Sequence, residues 1–319
     1  MTAQILDKDG NSVKAYSTLA EAVAAAQDGQ TVRLLADVAE SSIKVNANIT
    51  IDLNKMTVTG SFVTYGEVTI QNGTIDVPDG KTNYAYGKLT LADVDITGKA
   101  ASSSLLSVNY NGSVTIDKDS TIVADSAKGD YPAVFIKGQD DSGKTYAPEL
   151  NIYGTVQSAK TPAIQGNGTD RGVSHVNVFE GAVVKSEKLA IYLPQPCEVN
   201  ITGGLVEGYC GIGIKSGTLN ISGGAVTGNE VIDGHEDNGG GIYVSSGTLN
   251  LSGNGYVTNN SKSCDCEICQ GDANNTHGGG GIALANGSTM EMTGGYVTGN
   301  YSSLAGGGIS AGFFAGDDG

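Results

Sequence analysis

The sequence predicts an all-β protein in which one short unit is repeated and stacked as a solenoid. An apolar–polar–apolar triplet recurs along the chain, and its copies start between 19 and 41 residues apart. A constant apolar pattern with loops of variable length is typical of stacked repeats. Glycine supplies 48 of the 319 residues, which suits a fold with many tight turns. The ten triplets begin at Ile49, Val68, Leu89, Val114, Leu150, Val176, Val199, Leu219, Leu249 and Met290.

Residues 1–48 differ from the repeats and are expected to form an N-terminal cap. The turn-rich stretch 7–11 predicts a small hairpin. Thr18 and Glu21 form a capping-box pair ahead of an alanine-rich run that is expected to stop at Gly29, so one short α-helix is predicted there. Strands are predicted at 31–35 and 43–45. The predicted division is therefore a cap at 1–48 and a repeat region at 49–319.

Each repeat is expected to contribute three strands, giving about ten coils. The triplet is the first strand, a Val/Thr pair such as Val226-Thr227 is the second, and an alternation such as Ile242-Tyr243-Val244 is the third. The middle residues of the triplets are Thr in four early copies and Asn in five later ones. Stacked side chains of one type can hydrogen-bond to each other, so this row is predicted to be an outward polar ladder.

The repeats resemble those of right-handed parallel β-helix proteins of the pectin-lyase-like class. The resemblance rests on VTGN at 226–229 and 297–300, VTNN at 257–260, and GGGI at 239–242, 279–282 and 306–309. The repeats are most similar to those of polymorphic outer-membrane proteins and bacterial surface adhesins. This resemblance implies a right-handed parallel β-helix and an extracellular or cell-surface location. The signal and anchor are then expected outside this sequence, and the last coil is expected to continue beyond Gly319.

Composition argues against several classes of partner. The formal net charge is −16, which repels nucleic acid and acidic membrane surfaces, and no apolar run is long enough to predict a membrane span.

A lyase of the resembled class uses calcium and arginine, whereas this chain has only Arg33 and Arg171. The neighbouring Asp140 and Asp141 lie in an ordinary turn sequence. No catalytic residue is predicted, and the sequence favours a non-catalytic protein over an enzyme.

Potential metal-ligating side chains are concentrated in one cluster of cysteine and histidine residues. Cys264, Cys266, Cys269 and His277 match the Cys₃His set of a structural zinc site, with His235 and Cys210 as further candidate ligands. Two alternatives are a disulfide between Cys210 and one of the three loop cysteines, and free thiols in the loop. Cys197 falls at a different corner and is expected to be unpaired or a packing residue.

Tyrosine supplies most of the aromatic content, with 14 residues against 5 Phe. Aromatic rings beside polar side chains are typical of surfaces that bind sugars or proteins. Tyr110, Tyr131, Tyr146, Asp140 and Asp141 are therefore predicted to bind a ligand.

Together these observations predict a non-catalytic adhesin or stalk module of a larger bacterial surface protein. Its loop insertions would bind a glycan or a protein. The alternative is a polysaccharide lyase or hydrolase, or a phage tailspike, of the same fold.

Overall fold

In the computed structural model, the described part of the chain is almost entirely β-structure. The structure describes residues 1–125, 131–232, 239–265, 278–285, 287–303 and 306–312. One helix, α1, spans Leu19–Ala25. The strands are β1 (Ala3–Leu6), β2 (Ser12–Tyr16), β3 (Thr31–Leu34), β4 (Ile43–Val45), β5 (Thr50–Asp52), β6 (Thr57–Thr59), β7 (Phe62–Thr64), β8 (Glu67–Val77), β9 (Asn83–Ala85), β10 (Lys88–Gly98), β11 (Leu106–Asn109), β12 (Ser113–Ile116), β13 (Thr121–Ala124), β14 (Val134–Lys137), β15 (Glu149–Ile152), β16 (Thr155–Ser158), β17 (Ile164–Gly166), β18 (Ser174–Val178), β19 (Val183–Ser186), β20 (Leu189–Glu207), β21 (Cys210–Thr227), β22 (Glu230–Ile232), β23 (Ile242–Leu251), β24 (Tyr256–Thr258), β25 (Ser261–Ser263), β26 (Ile282–Ala285), β27 (Thr289–Met292), β28 (Tyr296–Thr298), β29 (Tyr301–Ser302) and β30 (Ile309–Gly312).

The N-terminal region contains the predicted hairpin and helix. β1 pairs antiparallel with β2 and with β3. The capping box is confirmed, because the Thr18 side chain accepts from the Glu21 N–H and the Glu21 carboxylate accepts from the Thr18 N–H. The predicted stop at Gly29 is wrong: the helix ends at Ala25, and Ala26 is already extended. The predicted cap also shares the sheet of the repeats, since β3 pairs with β5 and β4 with β7.

Parallel pairing between successive repeats produces three ladders of strands. The first ladder contains the triplets and runs from β3 to β27. The second contains the Val/Thr pairs and runs from β6 to β28. The third runs from β4 to β30. The triplets pair in the predicted alignment, for example Leu219 with Leu249 and Asn220 with Asn250.

Long strands join these ladders into one sheet. β8 and β10 pair in both the first and second ladders, whereas β20 and β21 pair in all three. Of the described strands, 27 belong to this sheet, and β22, β25 and β29 form a separate small sheet. Inward apolar side chains of all three ladders form one continuous core. The sheet therefore wraps around that core and closes on itself.

This closed sheet corrects the fold class expected from the sequence. The expectation was a right-handed parallel β-helix solenoid with three discrete strands in each of about ten coils. The strands are instead segments of one closed sheet that is parallel except at β1 and β2, and a single strand such as β20 contributes to all three ladders. The physical reason lies at the corners between the ladders, for example at residues 194–196 and 202–205 of β20. Irregularities in the pairing turn the chain at these points without ending the strand.

The predicted polar row on the first ladder is confirmed for its asparagines. Each side-chain amide donates from Nδ2 to the Oδ1 of the preceding repeat, and each of these N···O distances is 2.8 or 2.9 Å. The chain of bonds runs through Asn151, Asn177, Asn200, Asn220 and Asn250. This row is half-buried, and its hydrogen bonds link successive repeats.

A second asparagine ladder was missed by the sequence analysis. Asn229, Asn260 and Asn300 end the VTGN and VTNN motifs and lie at the corner after the second ladder. The Asn229 Nδ2 donates to Asn260 Oδ1 at 2.6 Å, and the Asn260 Nδ2 donates to Asn300 Oδ1 at 2.9 Å. Asn229 and Asn260 are fully buried. The motif that carried the family resemblance thus has a packing role here.

Candidate ligand-binding site

A cleft of about 350 Å³ lies on the outer face of the third ladder. We call it the tyrosine cleft. Its floor comes from β9, β11 and β14, and its sides come from the segments that flank these strands. It is lined by Thr82, Tyr84, Tyr86, Ser103, Ser104, Ser107, Asn109, Tyr110, Tyr131, Phe135, Lys137 and Asp141.

The floor of the cleft follows from strand alternation. Leu106 and Val108 point into the core, so Ser107 and Asn109 point outward. The register places Ser107 between Tyr84 on one side and Phe135 on the other. A short side chain between two aromatic rings leaves a depression. Ser107 and Asn109 are only 5% and 4% exposed although they face outward, because they lie at the bottom of the cleft between larger side chains.

One wall of the cleft continues into a row of stacked tyrosine rings. Tyr65 stacks on Tyr86 at a centroid distance of 5.2 Å, Tyr86 meets Tyr110 at 5.3 Å, and Tyr110 stacks on Tyr146 at 4.9 Å. Such separations are those of favourable aromatic pairs. Each ring is held by its neighbours, so the wall is formed before any ligand arrives.

Tyr110 adopts an unusual backbone conformation. Its φ is +59°, in the left-handed region that a bulky side chain rarely occupies. The conformation starts a tight turn in which the Gly112 N–H donates to the Asn109 carbonyl at 2.9 Å. This turn brings the Tyr110 ring between Tyr86 and Tyr146. The surrounding structure must maintain this conformation, which is costly for a residue other than glycine.

The charged groups of the cleft are paired with each other. Lys137 Nζ lies 3.0 Å from Asp141 Oδ1, and the hydrogen bond to Asp141 raises the pKa of Lys137. Burial, reinforced by the neighbouring tyrosines, raises the pKa of Tyr86. The Tyr86 phenol therefore stays protonated at neutral pH. The cleft offers hydroxyls, an amide and an ion pair, and it carries no excess positive charge.

Two carboxylates hold the segment that carries Asp141 and Tyr146: Asp140 closes its turn from within, and Asp170 ties it to the next repeat. Asp140 accepts hydrogen bonds from the Ser142 hydroxyl, from the Tyr146 hydroxyl and from backbone N–H groups, and these bonds lower its pKa to about 2. Asp170, which is 2% exposed, accepts from the Gly138 N–H at 2.8 Å. Burial raises the pKa of Asp170, an effect that this hydrogen bond and the charge of Lys137 offset in part.

The predicted ligand-binding residues separate into three groups. Tyr110, Tyr131 and Asp141 line the cleft. Tyr146 lies beside it, stacked on Tyr110. Asp140 holds the turn and is not among the lining residues. From the sequence, this site was predicted to lie on loops alone.

The strand residues of the site were missed. Ser107, Asn109, Phe135 and Lys137 were not predicted, because each looks like an ordinary outward strand position. The signal that could have found them is the alignment of the third strand of each repeat. That alignment places Ser107 between two aromatic residues.

The cysteine and histidine cluster falls largely outside the described residues. Cys266, Cys269, His277 and His235 belong to the undescribed segments, so the structure does not test the predicted zinc site or the loop thiols. Cys264 and Cys210 are buried, and the three described cysteines form no disulfide with one another. Within the described ranges, no three His, Cys, Asp or Glu side chains are grouped as metal ligands. The zinc site stays a prediction.

Cys197 is a packing residue, as expected. It belongs to the core, and its thiol donates to the Ser216 carbonyl at 3.2 Å. Burial raises the pKa of the Cys197 thiol to about 12. A thiol with such a pKa is not a nucleophile at neutral pH.

Among the described residues, no helix has the length and apolar character needed to cross a membrane. No family model, curated protein or solved structure matches the chain. The resemblance to pectin-lyase-like surface proteins therefore stays a prediction from the sequence motifs.

Proposed function

We propose that this chain is a non-catalytic recognition module of a bacterial cell-surface protein, and that it binds a glycan in the tyrosine cleft. The observation that carries the proposal is the stacked row of tyrosine rings beside a polar floor. The surface location rests on the sequence resemblance alone.

The chemistry of the cleft suits a sugar. One face of a pyranose ring presents C–H groups that pack on an aromatic ring, while its hydroxyls need donors and acceptors. Tyr86 and Tyr110 supply aromatic surface, and Ser107 and Asn109 supply polar atoms at the floor. The cleft volume of about 350 Å³ lies at the lower end of the range for small-molecule sites. A cleft of this size suits one or two sugar units.

The site is also rigid, which favours binding. The Tyr86 and Tyr110 rings are held by stacking, Asp140 closes the turn that carries Asp141, and Asp170 ties this segment to the next repeat at Gly138. Groups that are already ordered lose less conformational entropy when a ligand binds.

The carboxylates of the cleft favour binding over bond cleavage. Among the described lining residues, only Asp141 carries a carboxylate, and that carboxylate is paired with Lys137. Glycoside hydrolysis ordinarily requires two carboxyl groups that flank the scissile bond. This arrangement supports the non-catalytic form of the proposal.

The proposal is tested by a glycan array followed by calorimetric titration of the best ligand. We expect Tyr110→Ala to weaken binding by roughly 30-fold, because a central aromatic residue of a binding site contributes about 2 kcal/mol or more. Tyr296→Ala is the matched control. Tyr296 is half exposed and stacks on Tyr256 at 4.7 Å on the second ladder, away from the cleft.

Two results would contradict the proposal. Equal affinity of the wild-type and Tyr110→Ala proteins would exclude the cleft as the site. Shortened ligand after incubation, detected by mass spectrometry, would show that the protein cleaves the glycan.

A further inference from the structure

The floor of the tyrosine cleft belongs to a longer row of outward side chains on the third ladder. In register, Tyr84 is followed by Ser107, Phe135 and Gln165 in the next repeats. The same outward position is then occupied by Tyr192, Gly213 and Tyr243. The row therefore extends well past the cleft along the stacking direction.

Aromatic and non-aromatic residues alternate along this row. The aromatic residues are Tyr84, Phe135, Tyr192 and Tyr243, and each is at least partly exposed. Ser107 and Gly213 lie between them and are buried, and Gln165 is partly exposed. Neighbouring strands are ~4.8 Å apart, so successive aromatic residues are roughly 10 Å apart.

The small residues shape the surface around the later rings. A Cβ atom at Gly213 would lie 3.3 Å from Tyr192 Cδ2 and 2.9 Å from Leu189 Cδ2, so Tyr192 lies close against this glycine. Tyr243 packs on Ala283 and Ala285. Both rings are thus supported by small neighbours on the surface of the sheet.

An extended polysaccharide has a matching repeat. In a β-linked chain with two-fold symmetry, every second sugar unit presents the same face, and the repeat is one disaccharide long. That length is close to the spacing of the aromatic residues in this row. A chain lying along the third ladder could therefore place every second unit over a ring.

The charge of the protein decides which polysaccharide fits. The net charge of −16 repels an anionic polymer such as a polyuronate. The one Lys that lines the cleft, Lys137, is already paired with Asp141. An uncharged chain meets no such repulsion.

From these observations we infer that the ligand is an extended, uncharged β-linked polysaccharide that runs from the tyrosine cleft along the third ladder over Tyr192 to Tyr243. This inference rests on the proposed function, because the cleft is its first binding position. It adds the ligand class, the direction of the ligand and a further contact residue, Tyr192.

The test is calorimetric titration with neutral oligosaccharides of increasing length. Cello-, manno-, xylo- and chito-oligosaccharides from two to eight units serve as probes, with oligogalacturonates as the anionic comparison. In at least one neutral series, we expect affinity to keep rising beyond the length that fills the cleft. Tyr192→Ala should weaken binding of the longest member about tenfold and leave binding of the disaccharide unchanged. Tyr110→Ala should weaken both.

The outcomes separate the two proposals. If affinity stops rising at the disaccharide and Tyr192→Ala has no effect, the extended ligand is excluded while the cleft keeps its function. If Tyr110→Ala has no effect on any probe, or if no probe binds, both are contradicted. Tighter binding of oligogalacturonates would overturn the uncharged class. Tyr256→Ala, which removes an exposed tyrosine on the second ladder, is the control, and thermal melts verify that each variant is folded.

Discussion

Single asparagine residues contribute to this protein in two different environments. Asn220 belongs to the half-buried row on the first ladder, where water can replace a lost partner. Asn260 is fully buried, and its Oδ1 accepts from both the backbone N–H and the Nδ2 of Asn229. Its own Nδ2 donates to the Val226 carbonyl and to Asn300. A buried donor or acceptor that loses its partner costs more than an exposed one.

Truncation should therefore be more damaging in the buried row. We expect Asn260→Ala to lower the free energy of unfolding by about 3 kcal/mol, because it leaves several buried groups without partners. Asn220→Ala should lower it by about 1 kcal/mol. Urea denaturation followed by circular dichroism measures both values. Equal losses would show that burial does not distinguish the two rows.

The start of α1 was predictable from the sequence, whereas its end was not. Its capping box was predicted from Thr18 and Glu21 because both partners of that motif are local in sequence. A second interaction was not predicted: the Glu40 carboxylate accepts from the N–H groups of Leu19 and Ala20 at 2.8 and 2.9 Å. Glu40 lies 20 residues or more away along the chain, so no local pattern reveals it.

The capping box can be tested by removing its hydroxyl. We expect Thr18→Ala to lower the free energy of unfolding by about 1 kcal/mol, which is typical for loss of an N-terminal cap. Thr18→Ser keeps the hydroxyl and should restore most of the stability. Chemical denaturation measures both variants. If the serine variant is as unstable as the alanine variant, the hydroxyl is not the source of the effect.

The segment that follows β14 has a pH-dependent anchor in Asp170. Because burial raises its pKa above the ordinary value of about 3.9, the folded protein binds this proton more readily than the unfolded chain does. The contribution of protonated Asp170 to stability is present at low pH and is lost as the pH rises through the raised pKa. The wild type should therefore gain stability relative to Asp170→Asn on acidification through this range.

This prediction is checked by denaturation of both proteins at a series of pH values. The asparagine variant keeps an oxygen that can accept from the Gly138 N–H, so it isolates the effect of titration. A stability difference that does not change with pH, or that changes in the opposite direction, would contradict the assignment. Aspartates elsewhere titrate in both proteins and cancel in the difference.

At the scale of the whole molecule, the repeat was predictable and the organisation of the sheet was not. The alignment of Leu219 with Leu249, and of the residues around them, followed from periodicity. Whether a strand ends at a corner is decided by pairing with the repeats above and below. That pairing is why β20 continues through Pro194 and Gly203. The tyrosine cleft could not be predicted for the same reason. Ser107 forms a depression only because Tyr84 and Phe135 flank it in adjacent repeats.

The charge of the molecule leads to a prediction about salt. With a net charge of −16, repulsion among carboxylates opposes the compact state. Added salt shortens the Debye length to about 10 Å at 0.1 M and screens this repulsion. We expect the melting temperature to rise between low and moderate NaCl concentration, while affinity for an uncharged glycan changes little. A melting temperature that falls with salt would show that attractive ion pairs dominate.

The claim that the tyrosine cleft binds a glycan is tested most directly by filling the cleft. Ser107→Phe adds a ring to the floor and leaves Tyr86 and Tyr110 in place. Calorimetric titration of the best glycan into this variant and into the wild type compares an occupied cleft with an open one. We expect the variant to fold with a moderately lowered melting temperature, because Ser107 is largely enclosed by its neighbours, and to lose measurable binding. Wild-type affinity in a folded Ser107→Phe protein would contradict the claim.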